Sequence, residues 1–236
     1  MDKLAEEVFE HVDGIFGLTT VLELPRELAF KISKEVVELV ASAYSSKPSP
    51  ETLIKRIKRD RKTLFEVVVS KVLELVEKPT PRQLEYIVAN GGRALLGEVE
   101  KLYKLAVAYK MDSAIEVLKH VWNTYRGKGF VECPRCGFNA VSPERYCIIC
   151  GYVVSEDYLR AALGFEEKFN AYLKTASIAE LNDVLKLGYV LVGEKGVYSP
   201  NSQRARLENP ILYIVYLRKS EISRLLEEAS SRELPI

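Results

Sequence analysis

The chain has 236 residues, 47% of them hydrophobic and 28% charged, which supplies a buried core and one to three domains. The 34 Lys and Arg against 33 Asp and Glu leave a formal net charge of +1, so no global field draws the protein to nucleic acid or membrane and any such attraction is local. The longest apolar runs fall short of the roughly 18 residues of a membrane-spanning helix, and the acidic start Met1-Asp2-Lys3-Leu4-Ala5-Glu6-Glu7 is unlike a secretion signal; both features lead us to expect a cytoplasmic protein.

Abundant charge beside only two His and two Met is a composition associated with life at high temperature. The charge is unevenly spread: residues 1–50 are acidic, 51–130 moderately basic and the remainder nearly balanced.

Leu4, Val8, Val12 and Ile15 recur at helical spacing and predict a first helix over 3–13, ended by Gly14 and Gly17. His11 lies beside that stripe and reads as a partly buried histidine satisfied by one hydrogen bond. A second helix is expected over 25–43, with Pro25 in its first turn and Leu28, Ile32, Val36, Leu39 and Val40 facing inward. The Ser- and Pro-rich segment 45–50 breaks the pattern. A third helix over 51–77 carries Leu53, Ile57, Leu64, Val68 and Leu75 on one stripe.

Opposite that stripe Lys55, Arg56, Lys58, Arg59 and Lys62 form a basic ridge, with Arg61 nearer the apolar side and expected to snorkel or meet a carboxylate. Cations on one helix face neutralise phosphates by releasing counterions, giving affinity without base specificity. A solvated face answered by nearby acids uses the same residues. Further helices are predicted over 81–89, capped by Thr80 and closed at Asn90-Gly91-Gly92, over 93–110, and from Asp112 to a stop at Gly127. In the last of these Ile115, Leu118, Trp122 and Tyr125 make the stripe, Trp122 is a core aromatic and His120 faces solvent.

All four cysteines follow, in Cys133-Pro134-Arg135-Cys136-Gly137 and Cys147-Ile148-Ile149-Cys150-Gly151. Two intervening residues let both sulfurs of a hook point at one centre, and the glycine after each hook permits a positive φ. Four thiolates suit tetrahedral zinc and leave no open position for substrate or activated water, so Zn2+ is expected to be structural. Iron in the same cage and oxidised cysteines are the alternatives. The two hooks resemble a short zinc ribbon or rubredoxin-type knuckle pair, a resemblance confined to this stretch. Zinc ribbons serve in transcription, replication, translation and RNA processing and also act as folding staples inside enzymes. The flanking segments 130–132 and 152–154 are expected to pair as short strands, 139–146 to form the connecting arm with a turn at Ser142-Pro143, and Arg135 and Arg145 to project near the metal.

Helices are next expected over 156–163 and 165–174, interrupted at Gly164, and over 178–187, capped by Ser177 and ended by Gly188. The period then changes: 189–192, the turn Gly193-Glu194-Lys195-Gly196 and Val197-Tyr198 predict a β-hairpin. Helix, strand and glycine-bearing turn resemble the back half of a winged helix-turn-helix, although the preceding helix is poor in the side chains that read bases. Gln203, Arg204 and Arg206 are expected in a loop where the two arginines can lie on phosphate. The apolar run 211–217 predicts a strand covered on both faces and paired with the hairpin. Ser220 caps a last helix to about 230, with a fraying tail.

Two isolated histidines, no cysteine outside the hooks, no phosphate loop and no His-x-Glu pattern leave no catalytic constellation. Glu6/Glu7, Glu166/Glu167 and Glu227/Glu228 read as solvated surface, although an acid-only site can assemble in a fold. The expected fold is mainly α: a helical bundle over 1–127, an inserted four-cysteine zinc ribbon over 128–154, and a small winged-helix-like α/β unit over 155–236. The expected function is a non-catalytic zinc protein that binds nucleic acid or acts in a nucleic-acid-processing complex. Its metal ligands are Cys133, Cys136, Cys147 and Cys150, and its nucleic-acid contacts Lys55, Arg56, Lys58, Arg59, Lys62, Arg204 and Arg206. The alternative is a protein-protein scaffold in which zinc is only a staple; no membrane partner and no small-molecule substrate is evident.

Overall fold

A computed structural model of the protein describes residues 2–233 and divides the chain into two compact units, Met1–Tyr125 and Arg126–Ile236. Both are mainly helical, and a small antiparallel sheet lies near the C-terminus. No helix among the described residues is long and apolar enough to cross a membrane.

The first unit is all helix: α1 (Asp2–Phe16), α2 (Arg26–Ala41), α3 (Pro50–Arg59), α4 (Arg61–Leu75), α5 (Pro81–Asn90), a 3-10 turn (Gly92–Gly97), α6 (Val99–Ala108) and α7 (Asp112–Tyr125). The apolar stripes meet in one core that includes Val8, Val12, Ile32, Val36, Leu53, Ile57, Val68, Leu84 and Leu118, with Trp122 buried as expected. Two starts are fixed where the sequence placed them. The Ser49 hydroxyl accepts the Thr52 amide ahead of Pro50, and Thr80 and Gln83 close a capping box ahead of Pro81.

The long third helix is instead two. Asp60, at φ −94° and ψ 12°, leaves the helical region, and its carboxylate accepts from both Arg56 and Arg59. The helix expected over 93–110 is likewise divided, by the 3-10 turn between Gly92 and Gly97. Helix α1 passes through Gly14 and stops only at Gly17, φ 64°. His11 is exposed rather than half-buried, as are Leu39, Leu75 and Tyr125, because each stripe is narrower than its periodic pattern. Arg61 is exposed too and does not lie along the core.

The second unit holds β1 (Val131–Glu132), β2 (Asn139–Val141), α8 (Glu156–Ala162), α9 (Phe165–Thr175), α10 (Ile178–Leu187), β3 (Tyr189–Val192), β4 (Val197–Tyr198), α11 (Gln203–Glu208), β5 (Tyr213–Tyr216) and α12 (Lys219–Glu233). Strands β1 and β2 pair antiparallel, and a three-stranded antiparallel sheet has the order β4-β3-β5. The hairpin, the caps at Ser177 and Gly188, the break at Gly164 and the pairing of the apolar strand with the hairpin all stand where the sequence put them.

Four expectations change. Strand β1 pairs with β2, while the 152–154 segment makes only a bridge from Val153 to Tyr146, because the first hook turns the chain back at once. Gln203, Arg204 and Arg206 lie on α11, whose N-cap is Ser202, rather than in a loop. Strand β5 is covered on one face only: Tyr213 and Val215 are buried, whereas Ile214 is 49% and Tyr216 64% exposed. Helix α12 begins one residue before Ser220, and the amide of Arg218 donates to the Glu221 carboxylate at 2.7 Å. Helix α12 also runs on to Glu233, past the expected end near 230, so the start of the tail expected to fray is helical, and 234–236 lie outside the described residues.

Candidate metal centre

Each Cys-x-x-Cys hook folds as the same tight turn. The Gly137 amide donates to the Cys133 carbonyl at 2.9 Å and the Cys133 amide to the Phe138 carbonyl at 2.8 Å. The second hook repeats this, from Gly151 to Cys147 at 2.8 Å and from Cys147 to Tyr152 at 2.8 Å. Gly137 and Gly151 sit at φ 73° and 70°, the left-handed region that lets the chain turn away immediately after the second sulfur.

The two turns bring four sulfurs together, every Sγ within 4.8 Å of the others. Cys133 faces Cys150 at 3.6 Å and Cys136 faces Cys147 at 3.6 Å. A disulfide would need about 2.05 Å, and all four thiols are free. A tetrahedron with metal–sulfur bonds of about 2.3 Å has edges of about 3.8 Å, so the spacing fits one ion gripped by four thiolates.

The electrostatics agree. Amides of Ile149 and Cys150 donate to the Cys147 sulfur, that of Phe138 to Cys136, and that of Tyr152 to Cys150. Aimed backbone dipoles of this kind favour sulfur in its anionic form. The close contact with the Cys136 thiol, ahead of all else, draws Cys147 down to about 5, while the same contact and burial push Cys136 up. Burial raises Cys150 to about 11. Four sulfurs this close cannot all be anionic unless a cation sits among them, and metal binding displaces the protons.

The centre is anchored by a residue the sequence did not single out. The Tyr213 hydroxyl, wholly buried, accepts the Val131 amide at 2.9 Å and donates to the Val141 carbonyl at 2.7 Å, bridging β1 and β2 from the sheet. Its only signal in the sequence is a polar atom inside an apolar run. Arg145 is exposed and lies 3.7 Å from Glu156, and Arg135 is also exposed.

The basic ridge is less free than its composition implies. Arg56 and Arg59 are both committed to Asp60, which raises Arg59 and lowers Asp60 through their hydrogen bond first. Lys55, Lys58 and Lys62 are exposed and make no ion pair among the described residues. On α11, Arg204 is held by Glu208 at 2.7 Å, while Arg206 is exposed. The centre and Arg204 and Arg206 belong to the second unit, the ridge to the first. Set against protein-family models, curated proteins and solved structures, the chain matches none.

Proposed function

We propose that this is a non-catalytic protein in which one structural Zn2+, held by Cys133, Cys136, Cys147 and Cys150, pins the second unit while the first unit contacts nucleic-acid phosphates. Zinc is the ion that four thiolates at tetrahedral spacing select among common intracellular metals, and a complete sulfur shell keeps no position for substrate. The proposal of phosphate binding is carried by Lys55, Lys58 and Lys62, three exposed ammonium groups without a carboxylate partner among the described residues. Arg206 is a further candidate; Arg56, Arg59 and Arg204 contribute less because each already faces an acid.

The hairpin β3–β4 behind α10 supports a winged-helix-like reading of the second unit. That helix bears half-buried Glu180 and Asp183, which repel phosphate, so the reading places the contact on the ridge instead. The absence of catalysis is supported by both histidines lying in solvent, with Glu6/Glu7 and Glu166/Glu167 also exposed.

A second reading, a protein-protein scaffold, is favoured by the exposed face of β5, where Ile214 and Tyr216 stand open to solvent. Fluorescence anisotropy with single-stranded and duplex DNA and RNA, titrated with salt, separates the two. Phosphate contact makes the logarithm of affinity fall linearly with the logarithm of salt, and the triple reversal Lys55→Glu, Lys58→Glu, Lys62→Glu flattens that slope. No binding at low salt removes the first reading.

A further inference from the structure

The second unit contains a cavity of about 340 Å³ between α9, the β3–β4 turn and α11, at the small end of the range for ligand pockets. Its apolar wall comes from Ala171, Ala176, Val197 and the rings of Tyr172 and Tyr198. Around that wall stand Lys168, Lys195 and Arg204, against the carboxylates of Glu180 and Glu208.

The cavity is held in shape by its own hydrogen bonds. The Gly193 amide donates to the Gly196 carbonyl at 2.9 Å, and the Lys195 amide donates to Oδ1 of buried Asn209 at 2.9 Å. Lys168 Nζ donates to the Gly193 carbonyl at 3.0 Å, spanning from α9 to the turn. A side chain at Gly193 would collide with Asn209, so the backbone approaches as closely as only glycine allows. The turn that carries Lys195 is therefore fixed before any ligand arrives.

Two of the lining cations, Lys168 and Lys195, are held by no ion pair among the described residues. Arg204 and the Tyr198 hydroxyl are both spent on Glu208, at 2.7 Å each, and the Glu180 carboxylate caps Ser177. Lys195 makes no ion pair among the described residues, and Lys168 keeps two N–H bonds beyond the one given to Gly193. The Tyr172 hydroxyl, on a side chain 6% exposed, has no hydrogen-bond partner among the described residues. Burial lowers Lys168, against the opposing pull of the Glu194 and Glu167 carboxylates.

We infer that this cavity binds a small organic anion, its charged oxygens met by Lys168 and Lys195 and its apolar body lying against Tyr172 and Tyr198. The inference does not depend on the nucleic-acid reading, because the ridge lies in the other unit. A carboxylate and a phosphate monoester share the required head, so the test compares them on one body.

The experiment is a two-dimensional amide NMR titration of the metal-loaded full chain with benzoate, phenyl phosphate and, as neutral control, benzyl alcohol. Saturable shifts centred on Lys195, Gly196 and Tyr198 with either anion, and at least tenfold weaker binding of the alcohol, are expected; the tighter anion names the head group. Lys195→Met, on an exposed turn, should weaken the anion at least fivefold while leaving the spectrum of α12 unchanged. Absence of saturable shifts with both anions, equal binding of the alcohol, or undiminished affinity in Lys195→Met overturns the inference.

Discussion

The hydroxyl of Tyr213 donates to the carbonyl of Val141 at 2.7 Å and accepts the amide of Val131, so one side chain of the sheet closes the end of the metal-binding hairpin. The four-cysteine hairpin and the sheet are thus joined by a buried polar contact.

Tyr213→Phe keeps the ring and deletes the bridge, leaving a buried amide and a buried carbonyl without a partner. Each such group costs about 1–3 kcal/mol. Urea unfolding of the second unit should show a loss in that range or somewhat above it, with an unchanged m-value. A variant as stable as the parent would mean that the two backbone groups find other partners.

Removal of the metal should unfold the hooks. Structural zinc commonly supplies about 10–16 kcal/mol of apparent binding free energy in small metal-dependent folds. Cys136→Ser or Cys147→Ser, or a strong chelator under reducing conditions, should free the tight turns around the already exposed Arg135 and Arg145 for cleavage by trypsin and lower the melting temperature of the second unit. Elemental analysis of the reduced parent should return one zinc per chain. Identical melting with and without metal would contradict a structural role.

Arg160 and Glu221 form a buried ion pair, their side chains 7% and 4% exposed, with Arg160 also donating to the Tyr216 carbonyl at 3.0 Å and lying over the Phe165 ring. Loss of Glu221 leaves buried Arg160 with only the part-exposed Glu156 carboxylate, 3.5 Å away, as counter-charge. Glu221→Gln should therefore cost less than the about 3–5 kcal/mol of a fully stranded charge, yet more than loss of the exposed pair of Arg26 with Glu10. Denaturant unfolding of Glu221→Gln beside Glu10→Gln makes the comparison.

Glu208 is held below the ordinary glutamate value, first by the hydrogen bond from Arg204 and then by that from Tyr198. A depressed folded value means that the carboxylate supports the fold above the unfolded value of about 4.3. That support fades as pH falls through the lower folded value. Carbon-detected NMR should find the Glu208 carboxyl titrating below other exposed glutamates, and Arg204→Met should move its midpoint upward. A midpoint unaffected by the substitution would separate Glu208 from Arg204.

The sequence alone determined the four-cysteine cluster, because ligand chemistry and spacing are local: two residues between cysteines and a glycine after each pair dictate the turn whatever surrounds it. The starts of α3, α5, α8 and α10 were equally local, set by Ser49, Thr80, Ser155 and Ser177. The hairpin was legible because its turn and change of period lie within ten residues of chain.

Only the tertiary structure decided which cations remained available, since the partners of Arg56, Arg59 and Arg204 depend on where carboxylates come to rest. It also decided that β5 is open on one face, because an apolar run carries no record of what covers it. The contact of Tyr213 with the hooks, across 72 residues to Val141, and the cavity beside Lys168 and Lys195 arise from segments distant in the chain. Long-range meetings of this kind are fixed by how the helices and the sheet pack, which no local spacing encodes.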